Sequence, residues 1–77
     1  MNILNWLKSL FKGDEENLSV GDIVISTENR YGFYMCRINR IYYRNHGGHL
    51  DKYCCIQFDH IGSVKVINVT YKSCHKV

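Results

Sequence analysis

A chain of 77 residues has room for one small domain. Its apolar fraction of 45% and its 6 Tyr, 3 Phe and 1 Trp exclude a disordered chain, and the absence of proline beside many Val, Ile and Tyr favours strands. The net charge of +3, Lys+Arg 10 against Asp+Glu 7, permits contact with nucleic acid or an anionic membrane. It is lower than a dedicated phosphate binder usually carries.

Residues 2–12 are expected to form an amphipathic helix. At about 100° per residue, Ile3, Leu4, Trp6, Leu7, Leu10 and Phe11 fall on one arc of roughly 160°. Lys8 and Lys12 suit the C-terminal end of its dipole, and Gly13 supplies a stop. An isolated helix of this length is marginal in water, so the apolar face needs a cover. It could cap the following domain, lie on a membrane surface or dock on a partner, a second copy included. The stretch is not read as a signal peptide, because Asn5, Lys8 and Ser9 interrupt it and no small-residue cleavage site follows. No segment approaches the roughly 20 apolar residues of a membrane span.

An acidic linker occupies 13–18, and a small β domain is expected over 19–77. Val20 to Ser26 reads as a first strand entered through a turn, and 28–32 as a loop. Phe33 to Arg44 reads as a long second strand bent near Asn39-Arg40. Tyr34, Cys36 and Ile38 share inward parity before the bend, and Ile41 and Tyr43 after it, as a bulge requires. Asn45 to His49, with its two glycines, is a hairpin connection. Tyr53 to Phe58 is a third strand and 59–62 a tight turn; Val64 to Tyr71 supplies a fourth strand and a short fifth. Such spacing points to a small antiparallel barrel of four or five strands, mostly β in class.

Several short motifs carry a resemblance. Val20-Gly21-Asp22-x-Val24, then Gly32-Phe33-Tyr34-x-Cys36-x-Ile38, then Cys55-Ile56-Gln57-Phe58-Asp59-x-x-Gly62 resemble, in order and spacing, the Tudor-like members of the SH3-like barrels over about 19–72. The resemblance is at the level of the fold. Family members that read methylated lysine or arginine do so with an aromatic cage. Carried over by position, Tyr34 and Phe58 stand where two walls would be, and Tyr31 could reach in from the loop. Thr27 or Glu28 and Ile61 replace the other aromatics, leaving a partial cage, or two plain core residues.

The 4 cysteines and 4 histidines invite a metal reading. The only plausible ligands, His46, His49, Cys74 and His75, lack the paired spacing of zinc sites, with the last two in a tail, so no metal and no cofactor is expected. Cys36 and Cys54, inward on neighbouring strands, read as small hydrophobes that could also come close enough to oxidise. A barrel of this size fills its interior and leaves no catalytic cavity, so no enzyme is expected.

Tyr31, Arg37, Arg40, Tyr42, Tyr43, Arg44, Lys52 and Tyr53 cluster on and around the long hairpin. Tyrosine and arginine are the residues of protein hot spots, and they also serve single-strand nucleic-acid binders. The modest charge favours a protein-binding module, with a nucleic-acid-binding barrel as the alternative and a membrane-surface adaptor as a third. The expected location is cytoplasmic, or peripheral at a membrane, with reduced thiols.

Overall fold

A computed structural model of the chain describes residues 17–77. The expected helix at 2–12 and most of the linker lie outside the described residues. Five strands form one antiparallel sheet: β1 (Ile23–Ser26), β2 (Cys36–His46), β3 (His49–His60), β4 (Ser63–Thr70) and β5 (Cys74–Lys76). Their order across the sheet is β4-β3-β2-β1-β5, so β4 and β5 are the two edges.

The hairpins are set by local chemistry. Between β2 and β3, Gly47 and Gly48 take φ of 59° and 86°, a left-handed pair that closes the turn with His46 opposite His49. Between β3 and β4 the same role falls to Ile61 and Gly62, with φ of 50° and 74°. A β-branched residue is strained in that conformation. Asp22 closes the entry to β1: its carboxylate accepts the Ser19 amide at 2.8 Å and lies 3.4 Å from Lys76.

The expected bend in β2 is present. Ile38 stands opposite Ile56 but Arg40 opposite Cys55, so Asn39 is the extra residue of a bulge. Inward parity therefore passes from Cys36 and Ile38 to Ile41. The core gathers Leu18, Val24, Cys36, Ile38, Cys54, Ile56, Phe58, Val69, Tyr71 and Cys74 on one face of the sheet. Several buried polar groups are paired. The Tyr71 hydroxyl accepts the Leu18 amide at 2.7 Å. Ser73 Oγ donates to the Thr70 carbonyl at 2.7 Å, which leaves Ser26 Oγ to donate to Ser73 Oγ at 2.9 Å and tie β1 to the 3₁₀ turn Tyr71–Ser73.

Several expectations are corrected. β3 runs from His49 to His60, well beyond Tyr53–Phe58, because its ladder to β2 continues to the glycine turn. β4 is continuous to Thr70, and the fifth strand is Cys74–Lys76 rather than a piece of 67–71. Cys74 and His75 are thus buried strand residues and not a tail. Tyr43 has inward parity, yet it is exposed because the hairpin outruns the core beneath it.

Candidate interaction face

β2, β3 and β4 share a long ladder whose second face carries no core. Opposed residues in an antiparallel ladder lie on the same side. The pairs Arg40–Cys55, Tyr42–Tyr53 and Arg44–Asp51 therefore sit together, with Asn68 and Thr70 continuing the rows onto β4. Arg37 joins the same face opposite Gln57, ahead of the bulge. Of the residues singled out in the sequence, Arg37, Arg40, Tyr42, Arg44 and Tyr53 are brought together here.

The bulge decides this grouping. If Asn39 took a regular place in the alternation instead of forming the bulge, Arg40, Tyr42 and Arg44 would share parity with Cys36 and Ile38 and face the core. With the bulge, they form an ordered stack. The Tyr42 and Tyr53 rings lie 5.8 Å apart and 20° from parallel. The Arg40 guanidinium caps Tyr42 at 4.8 Å, and Arg44 lies 5.9 Å from the Tyr53 centroid. Both hydroxyls are engaged: Tyr42 donates to Asn68 Oδ1 at 2.8 Å, and Tyr53 bonds His46 Nε2 at 3.3 Å. Among the described residues, Arg37, Arg40 and Arg44 have no carboxylate partner. Asp51 turns instead to His49 at 3.4 Å and His46 at 3.9 Å.

Tyr43 and Lys52 oppose each other on the core side of the hairpin and do not join this face. The Lys52 ammonium sits 3.9 Å above the Tyr71 ring and 5.7 Å from Tyr43. Tyr31 belongs to a third place, an aromatic cluster at the other end of β3. There Tyr34 and Phe58 stack at 5.3 Å and 16°, while Tyr31 lies 5.7 Å from Phe58. Rings stacked on each other leave no gap for a cation between them, so these two do not form opposed cage walls in this conformation. His60 completes the cluster, 5.0 Å from Tyr31 and bonded to the Tyr34 hydroxyl at 2.9 Å. The sequence reading missed His60 by ending the strand at Phe58. Extending the alternation of Cys54, Ile56 and Phe58 by one step finds it. Arg30 donates to the Tyr31 hydroxyl at 3.4 Å; that bond, the Arg30 charge and Lys65 hold the phenol below its usual value.

Three of the thiols, Cys36, Cys54 and Cys74, are held in the protonated form by their environment. Burial raises Cys36 and Cys54 above the ordinary thiol, and burial together with the neighbouring Cys54 pushes Cys74 up to about 12. All of the cysteines are free. Cys36 donates to the Tyr34 carbonyl at 3.1 Å, and the residue opposite Cys54 on β2 is Ile41, so Cys36 and Cys54 do not face each other across the ladder. Among the described residues no group of three or more His, Cys, Asp or Glu is arranged to hold a metal. His46 and His49 lie at the hairpin tip, while Cys74 and His75 lie in β5. No helix among the described residues is long and apolar enough to cross a membrane. Compared with known proteins, the chain matches no family model, and no curated protein and no solved structure is significantly similar to it.

Proposed function

We propose that this protein is a non-enzymatic binding module that recognises an acidic protein surface through the outer face of β2, β3 and β4. The observation that carries the reading is the stack Arg40–Tyr42–Tyr53–Arg44, whose guanidiniums have no carboxylate partner among the described residues. Stacking on tyrosine fixes each guanidinium plane while leaving its N–H edge free for two-pronged bonding to a carboxylate. Less side-chain freedom is then lost on binding. Arg37, at the far end of the face, extends the positive stripe.

The same residues support a nucleic-acid reading, since basic and aromatic groups alternate. Base stacking, however, needs an open ring face. Here the rings cover one another, and Arg40 and Arg44 cover what remains, so protein recognition is the better reading. The fold we infer is an SH3-like, Tudor-like barrel. Supporting it are the strand order, with the first strand between the second and the last, the curling bulge in β2, and a core confined to one face. Folds of this kind serve many functions, so the face carries the functional argument.

An NMR titration with glutamate-rich peptides and with single- and double-stranded oligonucleotides, at low and physiological salt, tests the reading. It expects peptide-induced shifts at Arg40, Tyr42, Arg44 and Tyr53 that survive physiological salt. Oligonucleotide binding at these residues with a steep salt dependence, and none by peptide, would transfer the face to nucleic acid.

A further inference from the structure

The edge of the sheet at β4 raises a separate question. Edge strands are usually short, bulged, or guarded by proline and outward lysines. At the other edge, β5 is three residues long and carries Lys76. β4 is eight residues long, pairs with β3 without a register break and contains no proline. Its lysine, Lys65, stands opposite the core residue Phe58 and so points to the core side. The outer side shows Val64 and Val66, 60% and 55% exposed, and Ile61 at the turn is 89% exposed.

The register shows which main-chain groups are free. His60 and Ser63 flank the Ile61–Gly62 turn and form a hydrogen-bonded pair, as such a turn requires. Alternation along the ladder then makes Lys65, Ile67 and Val69 bond to β3, while Val64, Val66, Asn68 and Thr70 direct their N–H and C=O groups away from it. Thr70 confirms the parity: its amide donates outward to Glu28 Oε1 at 2.9 Å. That carboxylate oxygen occupies the position a neighbouring strand's carbonyl would take. The free edge beyond it lines a cleft of about 370 Å³ bounded by Val66, Ile67, Asn68 and Val69 on one side and Glu28 and Arg30 on the other.

We propose that β4 accepts an added strand, an extended peptide segment of a partner protein with alternating apolar and acidic residues. Its main chain bonds Val64, Val66 and Asn68 in the manner of β-augmentation. Its apolar side chains lie beside Val64 and Val66. Its acidic side chains fall on the other side, where Arg30 and Lys65 approach the Tyr31 ring to 5.2 and 5.7 Å and have no carboxylate partner among the described residues. Glu28 ends the site at Thr70 and keeps further acidic residues to the Lys65 end. The site is distinct from the arginine face, which lies on the plane of the sheet and not at its edge.

Hydrogen exchange on the full chain tests the proposal, with an eight-residue peptide of alternating valine and aspartate as probe. Three controls accompany it: a valine–lysine peptide, the acidic peptide N-methylated on alternate residues, and the protein variant Val66→Pro. In the free protein the amides of Lys65, Ile67 and Val69 should be protected and those of Val64, Val66 and Asn68 should exchange. The acidic probe should slow these last by about tenfold or more, and N-methylation should abolish the effect, because each blocked amide removes a main-chain bond. Val66→Pro deletes an outward N–H without breaking a bond to β3, so the fold survives while binding is lost. Alanine at Arg37, Arg40 and Arg44 should leave edge binding unchanged, so failure here and failure of the arginine-face reading are distinguishable. Unaltered exchange at Val64, Val66 and Asn68, equal binding of the N-methylated or lysine peptide, or protection that grows with protein concentration alone would overturn the proposal. The last outcome would assign the edge to a second copy of the chain.

Discussion

The two faces of β2, β3 and β4 are built from the same ladder and do opposite work. On the inner face Ile38, Cys54 and Ile56 have no solvent exposure and Phe58 has 4%, so each residue is held by many neighbours. On the outer face Arg40, Tyr42, Tyr53 and Arg44 hold mainly one another, and Arg40 and Arg44 stand in solvent. In the binding reading proposed above, side-chain parity separates stability from recognition, with the Asn39 bulge placing two arginines and a tyrosine of one strand, Arg40, Arg44 and Tyr42, outside the core. Changes to the inner face should damage folding, and changes to the outer face should damage binding alone.

The largest effect is expected at Ile56. Ile56→Ala removes a fully buried side chain and should lower stability by about 2–5 kcal/mol, read by urea denaturation. A loss below about 1 kcal/mol would mean that the inner face is not the tightly packed core described. Next is the turn at Ile61, where a β-branched residue sits at φ 50°. Ile61→Asn should raise stability by about 1 kcal/mol, because asparagine tolerates the left-handed conformation and Asn-Gly suits this turn. An unchanged or lower melting temperature would show that the exposed isoleucine makes a stabilising contact.

Alkaline pH probes the inner face without mutation. Cys74 holds its proton in the folded state up to about 12, whereas the unfolded chain releases it near 9.0. The unfolded state therefore binds fewer protons above pH 9.0, and stability is lost as pH rises from there toward 12. Cys36 and Cys54 shift in the same direction and add to the loss. Cys74→Ala should flatten the decline in a melting series; an equal slope in the variant would assign the loss elsewhere. The smallest expected effect on stability is at Arg40 and Arg44. Replacing both by alanine should leave the unfolding free energy, read by urea denaturation, within about 0.5 kcal/mol of wild type.

The sequence made the inner face legible because burial imposes a period of two on Cys54, Ile56 and Phe58. It also exposed the bulge, since a parity change inside one apolar run has few other causes. It did not reveal the lengths of β3 and β5. Hydrogen bonding across the ladder extends β3 through His49, Leu50 and Asp51, which carry no strand pattern of their own. Cys74–Lys76 becomes a strand only because β1 lies beside it. The arginine face was half legible. Composition marked the residues, but only register separates Tyr42 and Tyr53 from Tyr43 and Lys52, and the Tyr42–Asn68 bond spans 26 residues. The free edge of β4 has no local signature, because which strand is an edge is a property of the whole sheet.

The most direct test of the account is a charge-preserving change on the outer face. Arg40→Lys with Arg44→Lys keeps both positive charges and removes the planar forks that the tyrosines hold in place. Titrated with a glutamate-rich peptide at physiological salt, the double variant should bind about tenfold or more weakly than wild type while melting at the same temperature. Undiminished affinity would show that the face offers only diffuse positive charge, and would contradict the claim that stacked, oriented guanidiniums are its means of recognition.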